Sequence, residues 1–292
     1  MMTDPHKDGS ARGCDARPGG LAPVLIVGCG YTGRRAARIL AQAGHVVTAT
    51  TRSPGKLLGL AEHGVCVVGL DCLDAGAEER LRAIAAPGCP VLYSVPSLGS
   101  NRDATVLRAL EGLAARVVYL STTSVYGAQR VVDATTRPAP VSERERARIV
   151  TEEAVLRGPW SSLVLRPAAI YGPGRGVHVS MARGEFRLEE GEPIPISRIH
   201  VEDLAVLAAS ALKASLGGAY PVADEHACPS LELARFCAGL MGLPMPETAP
   251  ATEIPQTRRH GRRVDGSAIL KLLGVRLQYP TYREGIRAAL AT

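Results

Sequence analysis

The sequence predicts an α/β fold with a doubly wound parallel sheet and a small C-terminal α/β lobe. Strand and helix patterns alternate strictly through the first half of the chain, which indicates right-handed βαβ crossovers. The first apolar run, Val24–Val27, is continuous rather than alternating, as in strands that are buried on both faces. Together these observations indicate a parallel sheet that is covered by helices on both sides.

The alternation can be followed element by element. Strands are predicted at residues 24–27, 46–50, 65–70, 91–95, 117–121 and 161–165. Helices are predicted between them at residues 32–43, 56–61, 78–85 and 103–115, and a further helix starts near Ser142. Ser142 and Glu145 have the spacing of an SxxE capping box, in which each side chain accepts from the backbone N–H of the other residue.

The same pattern divides the chain into three regions. Residues 1–22 are rich in Gly, Pro and charged side chains and lack apolar periodicity, so we expect a disordered tail. Residues 23–166 form the predicted sheet domain. From residue 167 the alternation fades, and residues 167–292 are predicted to form a small lobe whose elements can interleave with the sheet domain. Helices are predicted there at 201–214, 231–241, 267–273 and 283–290, and a strand at 219–222.

Composition argues against several classes of protein. No apolar run approaches the roughly 20 residues that span a bilayer, so we expect no membrane partner and a cytoplasmic location. The formal net charge of +6 comes mostly from dispersed arginines, and aromatic residues make up only 4% of the chain. The dense basic cluster at residues 258–263 has no interleaved aromatic residues for stacking on bases, so no nucleic-acid partner is expected. The cysteines contain no CxxC pair, so we expect neither a disulfide framework nor a metal site.

A glycine motif directly follows the first predicted strand and opens the first helix. Residues 28–33 read GCGYTG, a GxGxxG pattern in which Tyr31 and Thr32 precede the last glycine. In this context Gly28 makes a tight turn, Gly30 lets a pyrophosphate approach the backbone, and Gly33 lets the helix pack on the strand. A diphosphate then lies at the positive end of the helix. The motif predicts a dinucleotide site in a Rossmann-type domain.

The end of the second strand indicates which dinucleotide binds. NAD-binding forms usually carry an Asp or Glu there, whereas this chain has Thr51, Arg52 and Ser53. A guanidinium holds a 2′-phosphate by two charge-assisted bonds, so NADP is predicted over NAD; the alternative is that Arg52 is a solvated surface charge. Asp71 follows the third strand, where it can accept from the adenine amino group or cap a helix. Val95 ends the fourth predicted strand and is assigned to the same site.

Three further segments resemble one family and occur in its order. Residues 121–127, STTSVYG, resemble the SSxxVYG stretch of extended short-chain dehydrogenases/reductases, the group that contains nucleotide-sugar epimerases and dehydratases. Residues 165–175, LRPAAIYGPGR, are similar to its LRPxxxYGPG stretch, and residues 199–205, IHVEDLA, to its hVxDLA stretch. The resemblance runs from Pro23 to the end. It implies an NAD(P)-binding oxidoreductase or epimerase-like enzyme with a small-molecule substrate, and a homodimer.

By the same resemblance, a Ser or Thr, a Tyr and a Lys carry hydride-transfer chemistry at a hydroxyl-bearing carbon. Thr122 matches the Ser/Thr position, but Arg144 and Arg148 stand where the Tyr and Lys of a YxxxK motif are expected. An arginine cannot exchange a proton at neutral pH, so the catalytic site is expected to be atypical or impaired. The missing YxxxK and the GxGxxG in place of the usual GxxGxxG are similar to the atypical YeeZ-like subgroup.

The group that would handle the proton stays open. Tyr126, Tyr171, His178 and His200 are candidates. For the two tyrosines the alternative, which the resemblance implies, is a packing and edge role, and for the two histidines it is a structural hydrogen bond. The sequence is therefore compatible with two functions. The chain is either an NADP-dependent oxidoreductase-type enzyme on a small metabolite, or a non-catalytic NADP(H)-binding module that reports cofactor status to a partner.

Overall fold

The computed structural model describes residues 21–99, 101–191, 194–254 and 261–291. The predicted tail at residues 1–22 lies almost wholly outside these ranges, as do residues 258–260 of the basic cluster. In the part of the chain that is described, no helix is long and apolar enough to cross a membrane.

A parallel sheet forms the centre of the structure. The strands are β1 (Val24–Val27), β2 (Val47–Thr51), β3 (Val65–Gly69), β4 (Cys89–Tyr93), β5 (Ala114–Leu120), β6 (Val131–Val132), β7 (Ser161–Pro167), β8 (Ala169–Tyr171), β9 (Leu188–Glu189), β10 (Pro195–Ile196), β11 (Arg198–His200), β12 (Gly218–Val222), β13 (Cys228–Pro229), β14 (Thr248–Ala249) and β15 (Arg263–Val264). Seven of them form one sheet in the order β12-β7-β5-β4-β1-β2-β3, and every neighbouring pair is parallel. The order reverses between β1 and β4, as in doubly wound Rossmann-type sheets. The predicted fold class is confirmed.

Helices connect the strands and cover both faces of the sheet. They are α1 (Gly33–Gln42), α2 (Leu58–Ala61), α3 (Ala77–Ile84), α4 (Arg102–Arg108), α5 (Glu143–Arg157), α6 (Val177–Ala182), α7 (Val201–Lys213), α8 (Ser230–Met241), α9 (Ser267–Leu273) and α10 (Tyr282–Leu290). Short 3₁₀ turns occur at Pro54–Leu57, Thr123–Tyr126 and Ala251–Glu253. The remaining strands pair two by two, outside the large sheet.

Strand β1 shows how the core is divided. Val24 and Ile26 belong to a buried cluster with α1 and α7, whereas Leu25 and Val27 belong to a second cluster with α3, α4 and α5. Successive side chains of a strand point to opposite faces, so a strand that is covered on both sides must be apolar throughout. The continuous apolar run in the sequence has this cause.

A third buried cluster lies in the small lobe. It joins α6, α8 and α10 through Met181, Leu233, Cys237, Tyr282 and Ile286. This cluster is separate from the two that flank the large sheet, so the small lobe has an apolar centre of its own. It also contains Tyr171, from the segment that carries the YGPG pattern.

Several predicted element boundaries differ from the structure by a few residues, and two of the predicted elements illustrate this. The helix predicted over residues 103–115 ends at Arg108, and β5 already begins at Ala114. The residues between them form turns, and Gly112 has a φ of +76°, a conformation that favours glycine. The strand predicted over residues 91–95 is Cys89–Tyr93, so Val95 lies in the loop after β4.

The predicted start of α5 is confirmed at atomic detail. The Ser142 hydroxyl accepts from the backbone N–H of Glu145 at 3.3 Å, and the Glu145 carboxylate accepts from the backbone N–H of Ser142 at 3.1 Å. Both bonds of the capping box are therefore present. They fix the first turn of the helix that carries Arg144 and Arg148.

The chain after residue 167 contributes to both parts of the structure. Strand β12 joins the large sheet beside β7, and α7 packs against α1 on one face of that sheet. The Arg35 guanidinium of α1 also donates to the Glu202 carboxylate of α7 at 2.7 Å. The chain therefore returns to the sheet after it has formed part of the small lobe.

Candidate functional site

A cavity of about 760 Å³ opens at the carboxyl ends of the central strands. Its walls come from the loops after β1, β2, β3, β4 and β5 and from the first turn of α1. In open α/β sheets, ligands bind at this edge where the strand order reverses. Most of the residues that the sequence singles out as a cofactor site line this cavity: Gly28, Gly30, Tyr31, Thr32, Thr51, Arg52, Ser53, Asp71 and Val95.

The three motif glycines occupy three different environments. Gly28 has a φ of +83°, and a Cβ placed on it would lie 2.8 Å from Val95 Cγ2. A Cβ on Gly33 would lie 3.4 Å from the Gly28 carbonyl oxygen and from Ile26 Cγ2, where α1 meets β1. A Cβ on Gly30 would meet no protein atom within 4 Å. The turn is thus packed at Gly28 and Gly33, and it is open toward the cavity at Gly30.

Two positively charged side chains lie just after the end of β2. Arg52 and Lys56 both line the cavity and are exposed, and Ser53 lies between them in the chain. Neither cation forms an ion pair with a carboxylate among the described residues. The sequence predicts Arg52 at this site but not Lys56, because only the 3₁₀ turn at Pro54–Leu57 brings the Lys56 side chain to the cavity wall.

Asp71 lies in the turn after β3. Its carboxylate oxygen Oδ1 accepts from the backbone N–H of Leu73 at 3.0 Å. The next helix, α3, begins only at Ala77, so Asp71 closes a turn and does not cap that helix. Its side chain remains part of the cavity wall.

Tyr31 connects the glycine turn with the small lobe. Its hydroxyl donates to the carbonyl oxygen of Pro173 at 3.0 Å. The guanidinium groups of Arg34, Arg35 and Arg175 lie 5.5, 4.3 and 5.4 Å from the centre of its ring, within the range of cation–π attraction. Arg34 and Arg175 also line the cavity. The YGPGR segment is therefore held next to the turn that opens α1.

The opposite end of the cavity is lined by Ser121, just after β5, and by Arg148 of α5. One nitrogen of the Arg148 guanidinium donates to the hydroxyl of Tyr119 at 2.8 Å. Tyr119 is fully buried, and burial raises the pKa of its hydroxyl while Arg148 lowers it. Arg148 is half-buried and forms no ion pair with a carboxylate among the described residues.

The other two predicted catalytic positions lie apart from the cavity wall. The Thr122 hydroxyl accepts from the backbone N–H of Ser124 at 3.2 Å and so caps the short turn Thr123–Tyr126. Arg144 is exposed, one helical turn before Arg148. Neither residue lines the cavity in the described structure, whereas Arg148 does.

A buried polar network supports the Ser121 side of the cavity. The Ser121 hydroxyl donates to the Glu152 carboxylate at 2.5 Å. The Arg166 guanidinium binds the same carboxylate, with a shortest distance of 2.6 Å, and also donates to the Tyr126 hydroxyl at 3.0 Å. The sequence patterns do not predict this network. The sequence gives one indication of the network: Glu152 stands four residues after Arg148 and therefore lies on the same helix face.

The four proton donors that the sequence left open are all buried away from the cavity wall. The Tyr126 hydroxyl accepts from Arg166, and the Tyr171 hydroxyl donates to the carbonyl oxygen of Thr281 at 3.2 Å. His200 accepts from the backbone N–H of Glu202 at the start of α7, and burial lowers its pKa to about 4. Burial also lowers the pKa of His178. The hydrogen bond of His200 matches the structural alternative for that residue, whereas neither ring nitrogen of His178 has a hydrogen-bond partner among the described residues.

Few groups on the described cavity wall can exchange a proton at neutral pH. Burial raises the pKa of the Cys29 thiol to about 12 and that of Cys72 to about 11, so both stay protonated. Burial also raises the pKa of the Tyr31 hydroxyl, against the lowering effect of the neighbouring arginines. The wall therefore offers mainly fixed cations and hydroxyl groups.

Comparison with known proteins places this geometry in a family. A conserved protein of unknown function from Silicibacter pomeroyi is 32% identical in sequence; the match covers 93% of this chain and 99% of that one, with a TM-score of 0.78. The chain belongs to the same family as that protein. A structure described as a "putative NAD-dependent epimerase/dehydratase" from Methylobacillus flagellatus is 27% identical over 93% of this chain and 98% of the other, with a TM-score of 0.74.

A more distant neighbour shares the fold. MoeE5, solved in complex with UDP-glucose and NAD, is 20% identical over 92% of this chain and 98% of its own, with a TM-score of 0.74. No protein-family model and no curated protein matches the chain. The structural neighbours of this chain thus include a protein described as a putative NAD-dependent epimerase/dehydratase and one that was solved with NAD bound.

Proposed function

We propose that this chain binds NADP in the cavity and acts as an NADP-dependent oxidoreductase of the epimerase/dehydratase type on a small metabolite. The observation that carries the proposal is the open space at Gly30, beside two packed glycines, at the start of α1. The first N–H groups of a helix have no partner within the helix, and they attract phosphate. A turn of this shape suits a diphosphate.

The charges at the end of β2 support NADP rather than NAD. Arg52 and Lys56 line the cavity without a carboxylate partner among the described residues, and the strand ends without an Asp or Glu. A 2′-phosphate would supply the missing negative charge, and an arginine can bind it through two parallel bonds. A 2′-hydroxyl would find no carboxylate in the β2 end that it could donate to.

The chain's own residues would bind and orient the reactants. NADP supplies a nicotinamide that exchanges hydride with a substrate carbon. The glycine turn and the cations after β2 would hold its phosphates, while Arg148 and Ser121 lie where the substrate half of the site is expected in a sheet of this order. Arg144 is exposed. Because an arginine cannot exchange a proton at neutral pH, it does not replace the tyrosine of the YxxxK motif.

Titration calorimetry on Arg52→Ala tests the cofactor assignment. We expect the variant to bind NADPH more weakly by about 1.5–3 kcal/mol, the scale of hydrogen bonds to charged groups, and to bind NADH nearly as the parent does. Arg157→Ala, an exposed arginine at the end of α5, is the matched control for net charge. Equal losses for both nucleotides would contradict the 2′-phosphate contact, and no binding of either nucleotide to the folded parent would contradict the proposed function.

A second function is favoured by one observation, the presence of arginines at both positions of the lost YxxxK motif. Such a chain would be a non-catalytic NADP(H)-binding module that signals to a partner. A screen of carbonyl compounds for NADPH oxidation separates the two functions, because turnover of any of them at enzymatic rates contradicts the sensor. Homodimerisation and a cytoplasmic location stay predictions.

A further inference from the structure

The cavity wall carries more positively charged than negatively charged side chains. Asp71 is the one carboxylate among the described lining residues, and its oxygen Oδ1 already accepts from the backbone of Leu73. The cations are five: Arg34, Arg52, Lys56, Arg148 and Arg175. A cavity that focuses so much charge of one sign attracts ligands of the other sign.

Four of the five cations are placed for the phosphates of the cofactor. Arg52 and Lys56 follow β2, and Arg34 and Arg175 flank the ring of Tyr31 beside the glycine turn. All the negative charge of NADP is on its 2′-phosphate and its diphosphate. These four side chains and the start of α1 are therefore sufficient to match the charge of the cofactor.

Arg148 is the fifth cation, and it lies on the other side of the site. It projects from α5 onto Tyr119 of β5, whereas β2 lies on the opposite side of β1 in the sheet. The nicotinamide end of the cofactor carries no negative charge, and it is positive when oxidised. The cofactor therefore supplies no counter-charge to Arg148, which forms no ion pair with a carboxylate among the described residues. A half-buried guanidinium in this position favours an anionic ligand.

Ser121 adds a second requirement. Its hydroxyl proton is donated to the buried carboxylate of Glu152, which Arg166 holds in place. A serine hydroxyl has a single proton to donate, so the oxygen can present only its lone pairs to the cavity. It would accept a hydrogen bond from a ligand hydroxyl and would offer nothing to a ligand that only accepts.

We propose that the substrate is a small hydroxy acid, whose carboxylate is bound by the free nitrogens of Arg148 and whose hydroxyl donates to Ser121. The proposal rests on the proposed function, because it assumes that the cofactor occupies the glycine turn and the β2 end. Arg148 is thus assigned to the substrate, whereas the glycine turn and the cations after β2 are assigned to the cofactor. A neutral carbonyl compound or sugar would leave the Arg148 charge unpaired.

The test uses protein that is saturated with NADP⁺, and saturation is established first by calorimetry. Lactate, glycerate and 3-hydroxybutyrate are then titrated in parallel with their methyl esters, which keep the hydroxyl and lose the charge. We expect at least one acid to bind about 10- to 100-fold more tightly than its ester, the range for hydrogen bonds to charged groups. The readout is binding, so it does not depend on turnover.

Variants of α5 assign the preference to one side chain. Arg148→Gln should remove the preference for acid over ester while NADP⁺ still binds, Arg148→Lys should retain part of it, and Arg157→Gln should behave as the parent. The proposal is overturned if no acid binds more tightly than its ester, or if Arg148→Gln keeps the preference. Failure of NADP⁺ to bind in the first titration would instead count against the proposed function.

Discussion

Substitution by alanine should lower a different quantity at each of two motif glycines: the stability of the fold at Gly28, and the affinity for NADPH at Gly30. Gly28→Ala puts a Cβ within 2.8 Å of Val95 at a φ of +83°, so we expect a loss of about 1–3 kcal/mol in the free energy of unfolding. Gly30→Ala meets no protein atom, so its stability should change by less than about 0.5 kcal/mol. Its NADPH affinity should fall about tenfold or more, because the methyl group occupies the path of the diphosphate.

Chemical denaturation and calorimetry on the two variants measure these quantities. Gly59→Ala is a suitable control, because a Cβ there also meets no protein atom and the residue does not line the cavity. An unchanged NADPH affinity in a folded Gly30→Ala protein would show that no ligand backbone approaches that glycine.

Asp224 makes stability depend on pH. Its carboxyl oxygen Oδ2 is buried without a hydrogen-bond partner among the described residues, and burial raises the pKa of the group to about 8, although Arg198 lowers it. In the unfolded chain the group titrates near 3.8. The folded state therefore holds the extra proton between these values. This contribution to stability is complete below pH 3.8, declines as pH rises, and is lost above about pH 8.

The variant Asp224→Asn stays neutral and should escape this decline. We expect its Tm to exceed that of the parent by a margin that grows from about pH 5 to about pH 9, as measured by thermal unfolding. A constant margin over this range would mean that Asp224 does not change its charge within the fold.

Helix α5 carries two neighbouring glutamates, one in a buried ion pair with Arg166 of β7 and one in an exposed ion pair within the helix. The side chains of Glu152 and Arg166 are 3% and 8% exposed, whereas those of Glu153 and Arg157 are 48% and 77% exposed. Glu152→Gln leaves a buried guanidinium without its counter-charge, which we expect to cost about 3–5 kcal/mol. Glu153→Gln should cost less than about 1 kcal/mol. Urea denaturation of both variants tests the contrast, and similar losses would contradict the buried network.

Sequence patterns predict those elements whose cause is local. The capping box at Ser142, the buried run Val24–Val27 and the glycine turn each depend on a few consecutive residues, and each is present in the structure. The end of α4 was predicted too late, because Leu113 and its neighbours are apolar enough to continue a helix while Gly112 turns the chain.

The site is less predictable because its walls come from distant segments. Lys56, Arg175 and Ser121 reach the same cavity from three loops, and periodicity within any one segment cannot show this. Glu152 was missed for a related reason. The hydropathy of α5 has no clear apolar face, so the sequence does not show that its carboxylate points inward to Arg166.

At the scale of the whole molecule, cofactor binding should stabilise both parts of the structure. A ligand at 100 times its Kd adds about 2.7 kcal/mol to the free energy of unfolding, and NADPH at that level should raise Tm by several degrees. Tyr31 and Arg175 connect the glycine turn with the small lobe, so NADPH should slow hydrogen exchange in residues 28–33 and also in residues 172–176. Protection confined to the glycine turn would contradict this coupling.

The position of β12 has a consequence for synthesis of the protein. This strand covers the outer edge of β7, yet residues 168–217 are translated between the two strands. A nascent chain that has reached only residue 167 therefore exposes the backbone of β7, and free strand edges pair readily with other chains. Ribosome stalling or a premature stop between β7 and β12 should accordingly yield aggregates rather than a shorter active protein.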